Sequence, residues 1–510
     1  MAHLSEQQSY SSSLTILADG DINTSRLGAL QAIRRLNMIF SSYSFIFIFL
    51  PVVFTGYWLT AKFTKATFSK LWLIAASLVF YAQGSLLFLP ILVGTLVFNY
   101  IIVFFMDRPN TRKPLSRLLL CVALAENLGL LFIFKYYNFF IENVNRVFRT
   151  GFIHKSLILP LGISFYTFLI IWYIVDVYKK KSRRSNFLDY SVFVTFFPHL
   201  IVGPISRHDE FTGQLRGEEC RKLNSGNIIL GITLFSIGCA KKILIADPLI
   251  EHAQNFYNVI GSGNFFESWG GVITYTFAYY FDFSGYCDMA VGLGLFFNIS
   301  LPINFDSPYK SKNFADFWRK WNITISQFFS QHIFSNIFHF GNPFRKLILA
   351  TLITFLVSGV WHGAGWTFIF WGIANGILVC IANIMTIRRV KLPAGLSWAL
   401  TFFFVLLVRV LFDSNHMTQA ITIYRDLFDL RPMFTETAAF FSSGLRYILD
   451  NLYVVILTLA GAGICFFAPN TRKISENFQP KWYYAVGSGA MLVTSLFLMG
   501  TVSNFLYFQF

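Results

Sequence analysis

His362 is the residue of this sequence best placed to do chemistry. It lies in Ser358-Gly359-Val360-Trp361-His362-Gly363-Ala364-Gly365-Trp366, inside a run from Leu347 to Ile387 that holds no Asp, Glu, Lys or Arg. That run is long enough to cross a membrane about twice. An imidazole exchanges protons near neutral pH. In so apolar a setting it is costly unless it is partnered or reaches a water-filled cavity. Gly359, Gly363, Ala364 and Gly365 leave room for another backbone or a substrate to come close.

Two further segments carry polar groups into apolar sequence. Tyr280-Phe281-Asp282-Phe283-Ser284-Gly285-Tyr286-Cys287-Asp288 places the carboxylates of Asp282 and Asp288 six residues apart. Each costs about 2.5–3.5 kcal/mol at a bilayer centre, so both should face a bundle interior, a cavity or a basic partner. The structural reading is a pair of buried carboxylates that hold helix ends or pair with a cation. The functional reading is support of a substrate site. Asp316-Phe317-Trp318-Arg319-Lys320-Trp321-Asn322-Ile323-Thr324-Ile325-Ser326 interleaves tryptophan with basic residues, which suits an amphipathic helix at the membrane interface. Asn322 and Ser326 share one helix face at a spacing of four. An amide there can orient a reacting group or donate to a developing oxyanion. Arg409 lies in the apolar Thr401–Phe412 stretch and has three open roles: snorkelling, pairing with a carboxylate, or holding the pyrophosphate of a CoA donor. His199, beside Pro198, is expected to cap a broken helix. His332, His339 and His362 are joined by no carboxylate or thiolate that completes a ligand set, so no metal site is expected.

The elements that position these residues are membrane helices. The 510 residues are 55% hydrophobic and 13% charged, far more apolar than a soluble protein. Continuous apolar runs exclude a β-barrel, whose short strands alternate apolar and polar residues. The expected fold is all-α, a polytopic bundle of about 11–14 membrane segments, some re-entrant. Candidate spans are 39–60, 71–88, 91–106, 117–134, 157–177, 189–205, 229–246, 269–281, 286–300, 348–370, 372–387, 395–412, 450–468 and 482–507. Pro198 and Gly203-Pro204 mark 189–205 as broken. Residues 1–37 are polar, Ser-rich and expected to form a flexible arm; Met38 opens the first apolar segment and is an alternative start. Residues 38–510 read as one membrane domain.

The net charge of +16 is concentrated in short loops, Asp107–Lys113, Lys179–Arg184 and Arg388–Lys391. That distribution is the positive-inside pattern of cytoplasmic loops beside anionic lipid, and it points to membrane lipid, not nucleic acid, as the partner. If the first two loops share the cytoplasmic face, the spans between them form an outward hairpin. Six scattered cysteines with no C-x-x-C spacing indicate neither a disulfide framework nor a thiolate metal site.

Taken in order, Met38-Ile39-Phe40-Ser41-Ser42, Phe196-Phe197-Pro198-His199-Leu200-Ile201-Val202-Gly203-Pro204-Ile205, Phe281–Asp288, Ser307-Pro308-Tyr309, Asp316–Trp321 and Trp361-His362-Gly363-Ala364 resemble the membrane-bound O-acyltransferase family, in particular its alginate O-acetyltransferase-like bacterial branch. The resemblance implies tilted helices around a thinned centre, with a tunnel that an acyl thioester enters from the cytoplasm and a hydroxyl acceptor from the other side. It maps the family's histidine onto His362 and its second polar position onto Asn322, with Trp318, Arg319, Ser326, Trp361 and Gly363 in the surrounding motifs. The alginate branch usually has His where this chain has Asn322. Its following Arg-Asp-containing stretch is replaced here by Ser330-Gln331-His332-Ile333.

The implied activity is transfer of an acyl, expectedly acetyl, group to a hydroxyl. His362 acts as general base, and Asn322 positions the thioester or stabilises the oxyanion. No bound cofactor or metal is implied; acyl-CoA is the donor substrate. The implied acceptor is an exported polysaccharide or a periplasmic, esterase-like relay partner, and the location is the bacterial inner membrane. Alternatives are acylation of lipid or a teichoic-acid-type polymer from a carrier-protein thioester, a proton-coupled transporter or flippase, and a scaffold with a degenerate site.

Overall fold

The computed structural model describes residues 38–258, 263–339, 341–500 and Leu506. The flexible arm expected over 1–37 lies outside the described residues. In lipid each backbone N–H and C=O must find its partner within its own segment, so the apolar runs become helices. Every regular element among the described residues is helical.

In chain order the main elements are α1 (Phe45–Phe63), α2 (Ala66–Ser85), α3 (Leu86–Met106), α4 (Lys113–Phe148), α5 (Ile163–Tyr178), α6 (Phe187–Thr195), α7 (Phe197–Leu200), α8 (His208–Arg216), α9 (Ser225–Tyr257) and α10 (Phe265–Phe296). They continue with α11 (Phe314–Lys320), α12 (Ile323–Phe329), α13 (Phe344–His362), α14 (Trp366–Ile387), α15 (Ala394–Asp413), α16 (Met417–Leu427), α17 (Thr437–Asp450), α18 (Leu452–Phe467) and α19 (Trp482–Leu498). Seven of these, α1, α3, α4, α9, α13, α14 and α15, are long and apolar enough to cross a membrane; α17 and α18 make an eighth if their pair, bent by 82°, is one broken span. α5 and α19 are shorter apolar helices.

The core is built on α10, buried without interruption from Thr274 to Phe296. Two spans were expected here, 269–281 and 286–300, but the helix is continuous. Gly285 serves packing instead: a Cβ there would lie 2.8 Å from the Gly238 carbonyl oxygen of α9, and one on Gly231 would lie 2.7 Å from that of Gly292. A second correction concerns 348–370 and 372–387, whose break falls at Gly363–Gly365 and not at Phe370-Trp371. The expected break in 189–205 is present, with Pro198 opening α7 and the His199 ring within 2.7 Å of the Phe193 carbonyl in the last turn of α6.

Close backbone contact also joins α13 to α14. A Cβ on Gly359 would meet the Phe368 carbonyl oxygen at 2.4 Å and the Gly372 Cα at 3.0 Å. Gly359→Val is therefore expected to force the hairpin apart and destabilise the protein by about 1–3 kcal/mol. A lowered thermal unfolding midpoint in detergent checks this, and an unchanged midpoint contradicts it.

The sidedness follows from contacts between loops. Lys180 Nζ lies 2.7 Å from Asp107 Oδ1, so the first two basic loops meet on one face. Lys179 Nζ reaches Asn336 Oδ1 at 3.4 Å, bringing the segment before α13 to the same face. α14 packs antiparallel to α13, with Gly372 against Gly359 and Gly376 against Leu352, and so returns Arg388–Lys391 to it. The positive-inside rule makes this the cytoplasmic face. α15 then ends at Asp413 on the opposite face. The start of α10 lies there too, since Trp269 Nε1 donates to the Leu427 carbonyl at 3.0 Å.

Candidate active site

His362 is the last residue of α13 and is buried. Its ring sits among Trp361 (4.7 Å between centroids), Trp371 of α14 (4.9 Å) and Phe412 of α15 (5.2 Å). It lines a cavity of about 30 Å³, room for a water molecule or a small reacting group, together with Tyr279, Trp318, Trp321, Asn375 and Arg409. Four helices, α10, α13, α14 and α15, and the α11–α12 segment thus converge on one imidazole.

The helix end that carries His362 is fixed from outside. The final carbonyls of a helix lack intrahelical donors. That of Trp361 accepts from Lys135 Nζ at 2.7 Å and from Tyr136 Oη at 3.2 Å. Both donors lie on a π-helical turn of α4, Phe132–Tyr136, a form that recurs at functional positions. Gly363 follows the helix in an extended conformation, and a Cβ there would stand 2.1 Å from the Phe368 ring. Since sub-ångström placement of a reacting group governs its efficiency, Lys135→Met is expected to lower turnover about 10- to 100-fold with little change in donor KM. Steady-state kinetics check this, and wild-type turnover would contradict it.

Arg409 is paired with a carboxylate, one of the three roles open from sequence. Its Nη2 lies 2.6 Å from Asp413 Oδ1 and its Nε donates to Oδ2 at 2.8 Å, while the guanidinium stacks 3.5 Å above the Tyr279 ring. Trp318 Nε1 donates to Asn375 Oδ1 at 3.1 Å, which ties α11 to α14 beside His362.

The other expected site residues are placed as follows. Asn322 is buried in the left-handed region (φ 44°), which Asn tolerates better than most residues. Its side-chain oxygen has no protein partner, and it is not among the residues lining the His362 cavity, although its neighbour Trp321 is. Ser326 Oγ donates to the Trp321 carbonyl at 3.3 Å. Arg319 is exposed, with Asp316 at 3.5 Å. Trp361 stacks on Phe168 at 5.1 Å.

Asp282 and Asp288 are held in ion pairs away from that cavity. Asp282 bonds Lys242 at 2.7 Å and accepts from the Leu506 N–H at 3.0 Å; Lys242 also reaches Asp247 at 2.8 Å. Asp288 bonds Lys241 at 2.6 Å. Their placement is the structural reading of the two. His332 packs on Trp172 and Phe328, outside the His362 cavity.

Sequence reasoning did not single out Lys135, Tyr279, Trp371, Asn375 or Phe412. Asn375 carried a signal, as a polar amide in an uncharged run. Asp413, four residues after Arg409, carried another, the spacing of a helical ion pair. The aromatic residues carried none among so many.

The multi-pass helical bundle agrees with the comparisons to known proteins. Residues 150–399 match the MBOAT, membrane-bound O-acyltransferase, family. A peptidoglycan O-acetyltransferase of Helicobacter pylori is 37% identical, the match covering 94% of this chain and 99% of that protein. The chain therefore belongs to the membrane-bound O-acyltransferase family and is a multi-pass membrane O-acyltransferase. The probable alginate O-acetylase AlgI of Pseudomonas aeruginosa is 34% identical over 84% of this chain and 81% of its own length. The teichoic acid D-alanyltransferase of Bacillus subtilis is 29% identical over 45% of this chain and 60% of its own.

Proposed function

We propose that this enzyme sits in the bacterial cytoplasmic membrane and moves an acetyl group from cytoplasmic acetyl-CoA to a hydroxyl on the far side, that of an envelope glycan or of a relay protein that serves it. The observation that carries this reading is His362, the one imidazole lining the cavity between α13, α14 and α15. Relatives named for O-acetylation of peptidoglycan and alginate support acetyl as the group and a glycan as the acceptor.

In this mechanism neutral His362 takes the proton of the acceptor hydroxyl as its oxygen attacks the thioester carbonyl. The C–S bond then breaks, the sulfur leaves as CoA thiol with the proton from His362, and the new C–O bond remains on the acceptor. The tryptophans and Phe412 exclude water, which would otherwise compete as acceptor. Asn322, buried beside the cavity-wall residue Trp321, is assigned to the thioester side.

The test is made in cells. A strain lacking the protein should lose alkali-labile acetate from its envelope glycan, regain it with the wild-type gene, and fail to regain it with His362→Ala at equal membrane abundance. Full restoration by His362→Ala, or no change on deletion, contradicts the proposal.

A further inference from the structure

Attack on a thioester carbonyl puts negative charge on its oxygen, and a donor fixed where that charge develops supplies a large share of catalysis. The Asn322 amide, expected to serve there, does not line the His362 cavity. Several donors of the cavity wall are committed. Trp318 Nε1 donates to Asn375 Oδ1 at 3.1 Å, Asn375 Nδ2 to the Trp371 carbonyl at 2.8 Å, and Tyr309 Oη to the Thr276 carbonyl at 2.8 Å. Lys135 is spent on the Trp361 carbonyl and is not part of the lining. Among the lining residues Arg409 is the one that carries a permanent charge.

Arg409 is buried one turn before the outer end of α15. Asp413, a turn further out, takes one edge of the guanidinium through Nε at 2.8 Å and Nη2 at 2.6 Å. Its Cζ lies 3.5 Å from the centre of the Tyr279 ring. Phe412 meets the guanidinium at 4.7 Å and the His362 ring at 5.2 Å, so both groups pack on one phenyl ring. A guanidinium is a fork of N–H donors, and a carboxylate along one edge leaves the other terminal nitrogen, Nη1, for a further acceptor. Nη1 has no acceptor among the described residues, and a buried donor left unpaired is costly. Place also decides against the pyrophosphate of CoA, one of the roles open from sequence. That group lies a whole pantetheine arm away from the thioester, whereas Arg409 shares its cavity with the imidazole.

We propose that Arg409 is a catalytic residue of the acyl transfer, the donor to the thioester carbonyl oxygen, and that Asp413 is the positioning residue that orients it. In a cavity of about 30 Å³ a carbonyl group is within reach of His362 and Arg409 together. The acceptor oxygen bonds to the carbonyl carbon as His362 takes its proton. The carbonyl π electrons move onto the oxygen, which accepts from Arg409 Nη1. They return as the C–S bond breaks, and the departing sulfur takes the proton from His362. The assignment of this role rests on the acetyl-transfer reading above.

The test compares acetyl-CoA with its dithioester analogue, in which a sulfur that accepts hydrogen bonds poorly replaces the carbonyl oxygen. Inside-out membrane vesicles from a strain lacking the native protein and carrying each variant at equal abundance expose the cytoplasmic face to donor and retain the acceptor. Release of CoA thiol is followed. Loss of Arg409 alone leaves Asp413 buried and unpaired, so the decisive variant is Arg409→Gln/Asp413→Asn. With acetyl-CoA its kcat should fall about 10²–10³-fold at unchanged donor KM, as for loss of one oxyanion donor. Its preference for oxygen over sulfur should shrink by about tenfold or more from that of wild type, whereas a residue acting only through packing slows both donors alike. Arg409→Lys, which keeps a cation beside Asp413, should fall between the two. A kcat within about twofold of wild type, a loss confined to donor KM, or an unchanged preference would each overturn the proposal. Wild-type release no faster than that of His362→Ala would overturn the acetyl-transfer reading, and this assignment with it.

Discussion

Replacing His362 by alanine is expected to lower acetyl transfer by about 10²–10⁴-fold, the usual contribution of a positioned general base. The loss should fall on kcat with donor KM little changed, because the imidazole is set to act on the proton of the acceptor and not to hold the thioester. His362→Gln keeps a polar side chain of similar reach but cannot carry the proton, so it should be as inactive as His362→Ala. Both variants should retain the wild-type unfolding midpoint, since of the rings that enclose the imidazole Trp371 and Phe412 remain packed on each other and Trp361 on Phe168. Measured kcat and KM for the three proteins check this. Substantial activity in His362→Gln would show that the proton goes elsewhere.

The largest effect on stability is expected from Lys242→Met. Lys242 is fully buried between Asp282 and Asp247, at 2.7 and 2.8 Å. Removing the cation leaves carboxylates facing each other across an apolar gap, a change that costs about 3–5 kcal/mol where one partner of a buried pair is lost. The site chemistry is untouched in this variant, so the protein that does fold should turn over normally. A lowered unfolding midpoint with near-normal activity per folded molecule is the expected pair of results. An unchanged midpoint would show that the triad contributes little.

Much of this was legible in the sequence, for physical reasons that differ from element to element. The membrane bundle could be read because lipid imposes a single rule, long uncharged runs, which residues 347–387 obey. His362 stood out because an imidazole in such a run is costly. The broken segment around Pro198 was legible because proline and glycine mark chain breaks locally. Local reading also divided 269–281 from 286–300, where the helix runs on and Gly285 answers to a neighbouring helix that no local reading contains. Asp282 and Asp288 looked like possible site groups because the lysines that neutralise them lie 40 and 47 residues away along the chain. Lys135 escaped notice for a similar reason. Its target, the Trp361 carbonyl, is a backbone atom 226 residues distant and has no signature in side-chain type.

The most direct test of the account follows the acyl group itself. Purified protein in nanodiscs would be given acetyl-CoA labelled in the acetyl carbons, together with a soluble envelope-glycan acceptor and any relay protein it requires. With wild type the label should appear on the acceptor as an alkali-labile ester, with one CoA thiol released for each ester formed, and with His362→Ala it should stay on CoA. Equal labelling of the acceptor by both proteins would contradict the assignment of His362 as the base at the centre of the reaction.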